Sequence, residues 1–492
     1  MVTKRTKSTN NIVKSILLAI FFIFLFVSIF QNAGIDDRNN VSVHLSFLFI
    51  GIFALLQIII ESRDCSFSGN IMHWIFILFF MFFSPYLQYI TGSFALNYKP
   101  TEFQIIRNNE LIILWEITYC FGFYFKKARL KSNTDKHDVA LYNFENIDYM
   151  VLNSMLKLLL VISFIISAYM LAKNGINIMF SRDVGEGSFV NKDNYNSAQS
   201  SLLTYISRNT VTFSFVLSVI YYKKRKNVIL LCLQLIALLI TCSPIGMPRF
   251  QAATVYIGIL ILLFPKLTKK RYFIIFFVLA FVFLFPFINA FRYDSALDSN
   301  VTQIFKDSSN NIISNLTDAN FDAYVMLMKT QKYVEANGIS LGNQLLGAIL
   351  FFVPRSIWPN KAYGSGYTIQ VAEGSYGAEA NVSCPLIAEG YINFGIIGIA
   401  LFAVVFGWLI KKFDNWFYYS KGSINNEAKK VVYTFIPTII FFMMRGDLMS
   451  TTSFIMSYII VGYIIVHYAL RERKTDLKNI KRKANVNGNI RF

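Results

Sequence analysis

Charge is what this chain has least of. Only 15% of its 492 residues are Asp, Glu, Lys or Arg, against about 25% in a soluble globular protein, and the shortfall excludes a water-soluble enzyme of this length. Histidine is sparser still: His44, His73, His137 and His467 stand far apart. There is no HExxH, Walker A, GxGxxG or Asp-x-Asp pattern, so metal hydrolase, ATPase and metal-dependent nucleotide-sugar transferase readings lose support. The five cysteines (Cys65, Cys120, Cys232, Cys242, Cys384) show no CxxC spacing, and neither a disulfide framework nor a zinc site is indicated. Acid is also short, with 28 Asp+Glu against 47 Lys+Arg and a formal charge of +19. What the chain has instead is apolar mass: 55% hydrophobic residues, 49 of them Phe, at a mean hydropathy of +0.46. Disorder needs the opposite composition.

That mass falls into about twelve runs long enough to approach the roughly 30 Å of a hydrocarbon core. They centre on 13–31, 43–61, 71–92, 106–125, 152–172, 201–222, 228–243, 250–267, 272–291, 395–410, 431–445 and 449–470. The first is longer than a signal-peptide core and is followed by no small-residue cleavage pattern, so it is expected to be retained. Lysine and arginine cluster before the first run (Lys4, Arg5, Lys7, Lys14) and after alternate later ones (Lys126–Lys131, Lys223–Lys226, Lys266–Arg271, Lys411 and Lys412), and the tail from Arg471 is basic. Alternating crossings put all of these on one side, which the resistance of cations to translocation makes the cytoplasm. The excess charge is therefore a topology signal that also meets anionic lipid headgroups, and nucleic acid is not a partner. The expected fold is an all-α polytopic membrane protein of about twelve transmembrane helices with one large extracytoplasmic loop containing short helices. Its divisions are a bundle over 1–291, the loop over 292–394, a second bundle over 395–470, and a basic cytoplasmic tail over 471–492.

Loops beyond about 15 residues are usually functional or disordered, and this one is not of low complexity. Asp318, Phe321, Tyr324, Val325 and Met328, with Gly338 beyond, read as an amphipathic helix with an N-cap and a glycine stop. Leu345 to Val353 is apolar but too short to span and ends at Pro354, as an interfacial or re-entrant segment would. The polar chemistry is densest next to it, in Val353-Pro-Arg-Ser-Ile-Trp-Pro-Asn-Lys-Ala-Tyr-Gly-Ser-Gly-Tyr367, then Glu373, then Glu389-Gly-Tyr-Ile-Asn-Phe-Gly395. Pro354 and Pro359 fix φ on either side of Arg355, Trp358 suits the headgroup level, and Gly364 and Gly366 permit close backbone approach to a ligand. Arg355 and Lys361 are thereby offered at the outer surface. The plain alternative is an aromatic-belt loop with snorkelling cations.

Three more arginines lie outward. Arg249 sits in the tight turn Gly246-Met-Pro-Arg-Phe250, Arg445 in Met444-Arg-Gly-Asp447, and Arg292 ends a run. A central intramembrane Arg costs about 2.5–3.5 kcal/mol, less toward the interface. Snorkelling lowers that cost but does not explain arginine on the side that disfavours cations. A guanidinium grips phosphate oxygens bidentately and stays charged, so several converging there suit a lipid-linked diphosphate. Glu389, partly buried, reads either as a general base toward a hydroxyl or as a carboxylate paired with an arginine. Asp447 has the same ambiguity and is expected to orient Arg445. Arg208 and Asn209 fall inside a run, where charge is functional by default or snorkels.

Pro354-Arg-Ser-Ile-Trp-Pro-Asn-Lys361, the following Tyr-Gly-Ser-Gly, and the Glu389–Gly395 stretch entering a span resemble the O-antigen polymerase (Wzy) family. The short Arg249 and Arg445-Gly-Asp hairpins and the late large outer loop resemble it too. The resemblance implies undecaprenyl-diphosphate-linked oligosaccharides as substrates at the outer face of the bacterial cytoplasmic membrane. The growing glycan would pass from its lipid diphosphate to a sugar hydroxyl, in O-antigen or capsule synthesis, without nucleotide, metal or other cofactor. Arg249, Arg355, Arg445 and Arg292, with Lys361, are then expected at the diphosphate and Glu389 at the acceptor hydroxyl. Asp447, Trp358, Gly364, Gly366, Glu373, Tyr391 and Asn393 would support them. Membrane lipids, a chain-length regulator and a flippase are the further partners it brings in. The rivals are a lipid-linked oligosaccharide flippase, an O-antigen ligase and a structural scaffold. Ligases of this layout are associated with a loop histidine, which 292–394 lacks.

Overall fold

The computed structural model describes residues 2–31, 40–125, 142–145, 147–180, 198–284, 287–288, 312–375, 382–420 and 424–471. Every secondary-structure element among them is helical, and the described part of each apolar run of the sequence contains helix. Among the described residues six helices are long and apolar enough to cross a membrane: Ile12–Phe30, Val41–Glu61, Gly69–Ile90, Tyr149–Asn174, Leu386–Tyr419 and Leu448–Ala469. Val228–Thr241, Arg249–Leu263 and Tyr272–Leu284 are apolar but shorter. This is a polytopic membrane protein, and the sequence runs that fall outside those six differ from them for identifiable reasons.

Glu102–Tyr124 and Ala198–Arg225 have the length but carry Asn108, Asn109 and Glu116, or Ser207, Arg208, Asn209 and Thr212, all buried inside the bundle. The run at 431–445 is divided into Ile424–Tyr433 and Ile436–Met443, with Pro437 in the first turn of the second piece, where its missing N–H costs nothing.

The periphery is apolar outward. Ile16, Leu17, Ile20, Ile23 and Phe24 are exposed on one face of the first helix while Leu18, Phe22 and Leu25 are buried on the other. Such a surface belongs against lipid. Gly69–Ile90 is the opposite case, buried on nearly all sides at the middle of the bundle.

Hydrogen bonds tie the inter-helix connections into two separate ends. At one end, Ser66 Oγ donates to the carbonyls of Thr268 and Lys270, the Gly69 and Asn70 N–H groups donate to Asp414, and Tyr433 Oη donates to Asp414 at 3.0 Å. Lys223 Nζ donates to Leu262 O at that same end, at 2.8 Å. At the other end, Asn40 Nδ2 donates to Glu102 at 2.7 Å, and Leu386 N to Met444 O at 3.0 Å. The large loop returns to this second end.

Two apolar cores fill the bundle. One is built from the first four helices, 273–282, the loop helices and 384–410; the other from 147–262, 428–439 and 454–470. Ile436–Met443 lies in both and forms the seam.

The loop departs from the sequence reading in depth. The helix expected from Asp318 begins at Ala323 and runs to Asn337, stopped by Gly338 at φ 78°. It is not amphipathic at its start: Ala323 through Gln331 are all buried. Its polar groups are accommodated because they meet polar partners, with Tyr324 Oη donating to Asn109 Oδ1 at 2.8 Å and Gln331 Nε2 to Asn108 Oδ1 at 2.7 Å. The 345–353 run holds the short helix Asn343–Ile349 and presents Leu346, Ile349 and Phe352 outward, as an interfacial segment would. The helix Leu386–Tyr419 breaks sharply at Phe394 (φ −142°) and Gly395 (φ 62°), a backbone conformation that glycine adopts without strain. The Glu389 stretch therefore forms a separate helical piece ahead of the long span.

Candidate functional site

The segment 318–322 is where distant parts of the chain meet. Phe321 anchors it, its ring 4.8 Å from Phe80 and 5.8 Å from Phe281, which belong to two different bundle helices. Asp318 Oδ1 accepts from the Ala319 N–H and Oδ2 from Asn320 Nδ2 at 2.9 Å.

Arg249, the first residue of its helix after Pro248, donates through Nη2 to Asn320 Oδ1. Arg445 donates from Nε at 3.2 Å and Nη2 at 3.0 Å to Asp322 Oδ1, and from Nη2 to Ala319 O at 3.3 Å. Two guanidinium groups from hairpins nearly two hundred residues apart thus reach one short turn at the seam between the two cores. Arg445 keeps 30% of its side chain exposed, against 3% for Asp322.

Glu389 lies beside this turn. Its carboxylate, 1% exposed, accepts from Ser365 Oγ at 2.7 Å and from the Leu448 N–H at 2.9 Å. Among the described residues no guanidinium touches it; its partners are a hydroxyl and a backbone N–H. Asp447 differs from expectation. It caps the last helix, accepting from the Met449 and Ser450 N–H groups, and takes the Gly366 N–H at 3.2 Å. Arg445 is held by Asp322 instead. Burial pushes the Asp447 carboxyl above its ordinary range, opposed by those backbone donors. Cys384 sits among three carboxylates: its thiol is driven well up by burial and then by Glu389, Asp447 and Asp322.

Gly364 and Gly366 allow close approach, but to protein. A Cβ on Gly364 would stand 2.5 Å from an Asp447 carboxylate oxygen, and one on Gly366 would stand 2.6 Å from Val382 O and 2.8 Å from Ser383 O. The backbone carbonyls cannot swing aside. Gly366→Ala is expected to cost about 1–3 kcal/mol of stability through overpacking, read as a lowered Tm of the purified protein. An unchanged Tm would show that the 382–383 segment yields freely.

Arg355 and Lys361 work on their own loop. Arg355 donates to the carbonyls of Lys361 and Ala362 and stacks on Tyr363, its Cζ 3.6 Å from the ring centroid. Lys361 Nζ donates to Phe351 O at 2.7 Å and Val353 O at 3.0 Å. Burial, and then the Arg355 charge, pull Lys361 below its ordinary value. Trp358 is part-exposed beside them.

Asn393 accepts from the Leu345 N–H and donates to Glu389 O, joining the Asn343–Ile349 helix to the Glu389 piece. Tyr391 Oη receives Arg107 Nη2 at 3.4 Å, and Glu373 pairs with Lys329 at 2.7 Å. Arg292 lies outside the described residues.

Sequence reasoning passed over Asn320, Asp322, Ser365, Ser383 and the full burial of Arg208. Arg208 Nη1 donates to Gln251 Oε1 at 2.8 Å, two residues from Arg249. A signal existed for Asp322: Asp318-Ala-Asn-Phe-Asp322 sets two carboxylates around an aromatic anchor.

A family model described as O-antigen polysaccharide polymerase Wzy matches residues 14–474. No curated protein and no solved structure matches the chain.

Proposed function

The chain belongs to the O-antigen polysaccharide polymerase Wzy family, and on that premise we propose that the end of the bundle holding segment 318–322 faces the cell exterior and transfers glycan between lipid diphosphates. Membership makes this a multi-pass membrane enzyme of O-antigen repeat-unit polymerisation.

The basic clusters 223–226 and 266–271 lie in the cytoplasm with both termini, and the apolar helices give about twelve crossings. The donor is a glycan on undecaprenyl diphosphate. A hydroxyl of the newly delivered repeat unit attacks the anomeric carbon, the C–O bond to phosphate breaks, and undecaprenyl diphosphate leaves with the bonding electrons.

Arg249 and Arg445 face the charge that grows on that leaving group, where a preorganised donor is worth roughly 2.7–4 kcal/mol by analogy with oxyanion holes. The acceptor proton passes to Ser365 Oγ as Ser365 gives its own to Glu389 Oε2. That route suits a carboxylate that is 1% exposed and already bonded to Ser365. Arg355 and Lys361 shape the interfacial loop under which the lipid headgroups pass.

One observation carries the reading. Arg249 and Arg445 both bond to the 318–322 turn, and the buried Glu389 carboxylate, which no guanidinium among the described residues touches, accepts from the Leu448 N–H in the hairpin that carries Arg445. A flippase would instead need its polar groups along a central passage. Purified protein given one defined lipid-linked repeat unit, with no nucleotide, is expected to build a ladder of lengthening polymer. Intact repeat unit after prolonged incubation would sink the proposal. In cells, loss of the gene should leave single repeat units displayed at the surface, whereas loss of a flippase leaves none.

A further inference from the structure

We infer that Asp322 is the positioning residue that aims Arg445 at the substrate diphosphate, an inference that rests on the reading of Arg445 given above. Asp322 occupies the N-cap position of Ala323–Asn337, where an aspartate ordinarily accepts from the helix N–H groups and stabilises the helix. Its side chain makes no such bond. Oδ1 instead takes Arg445 Nε and Nη2 and the Ser383 hydroxyl at 2.7 Å, while Oδ2 takes the Ser383 N–H at 3.2 Å. A carboxylate held by four donors and 3% exposed is a fixed point.

The geometry at the guanidinium follows from that. The Nε–Nη2 edge is occupied by Asp322, and Nη2 also reaches Ala319 O. Among the described residues Nη1 has no partner, so the edge left for a phosphate oxygen is the one carrying Nη1. Arg249 is tied to Asn320 in the same turn. The turn itself is pinned by Phe321 between Phe80 and Phe281 and by Gln88 Nε2 donating to Phe321 O at 3.3 Å. Asp322 thus converts a flexible side chain into an oriented donor, and the ordering is complete before substrate arrives. An ordinary buried ion pair would hold the fold together equally well, but it would have no bearing on affinity for the lipid substrate.

The test is a set of variants assayed with a defined lipid-linked repeat unit. Asp322→Asn keeps the shape, removes the charge and turns an amide donor toward a donor at Ser383. It is expected to raise KM about tenfold, the scale of one charge-assisted hydrogen bond, at unchanged Tm. In an Arg445→Ala background the same substitution should change KM less than about twofold, because its effect acts through Arg445.

Should Asp322→Asn fail to fold, Ser383→Ala loosens the same carboxylate while keeping its charge. It is expected to raise KM about threefold, again only when Arg445 is present. A lower Tm with unchanged KM in either variant, or an equal KM rise with and without Arg445, overturns the inference. If Arg445→Ala alone leaves KM and rate untouched, it is the diphosphate reading that fails.

Discussion

Glu389→Gln is expected to slow polymer formation at least about a hundredfold, the low end of what a positioned general base contributes. Glutamine fills the same volume, and its carbonyl oxygen can still accept from either Ser365 Oγ or the Leu448 N–H. It cannot take up the acceptor proton. The fold should therefore survive while the chemical step fails, and the signature is a fall in kcat with KM for the lipid-linked repeat unit little changed. Initial rates of ladder formation at matched protein level measure it. Should Glu389→Gln polymerise at the parental rate, Glu389 is only a cap for the 448 helix and another base must be sought. Cys384 and Asp447 are the titratable neighbours of Glu389, but Asp447 is spent on three backbone donors.

The second large effect belongs to the arginines. Arg445→Ala and Arg249→Ala are each expected to reduce the rate by about 10²–10³, by analogy with removal of one oxyanion-hole donor. Lysine at 445 should recover only part of the loss, since it restores the charge without the planar fork that meets Asp322 on one edge and is proposed to meet phosphate on the other. The recovery itself is diagnostic. A purely structural Arg445–Asp322 pair predicts loss of folded protein instead, with residual molecules fully active. Full activity in Arg249→Ala would remove that residue from the diphosphate site and leave its bond to Asn320 as a brace for the turn.

Much of this protein was legible in its residues. The apolar runs located the helices, because a chain surrounded by hydrocarbon must satisfy its backbone within each segment. Only six of the described helices, against about twelve expected, are long and apolar enough to span. The break at Phe394 and Gly395 was not read from the sequence, although Gly395 stands where the Glu389 stretch ends. The two arginine hairpins and the interfacial run at 345–353 were visible as charge and apolarity in unusual places. Less visible were Asp322 and Ser365. The Asp318-Ala-Asn-Phe-Asp322 pattern marks Asp322 as a candidate, but no local feature tells whether an aspartate there caps its helix or turns its carboxylate toward a guanidinium 123 positions away. Asp447 misled in the same way: it adjoins Arg445 in sequence, yet it faces the N–H groups of the helix it begins.

Composition by itself determined that the chain would be helical and live in a membrane, because too little charge and so much phenylalanine leave no other stable solvent for it. The tertiary structure alone decided which polar groups share a site. Helices of similar hydrophobicity pack in many ways, and only the particular seating of Phe321 among Phe80 and Phe281 brings the 318–322 turn under Arg249 and Arg445. Contacts between residues so far apart along the chain depend on shape and on the pairing of buried polar atoms, and neither leaves a periodic mark in the order of the amino acids.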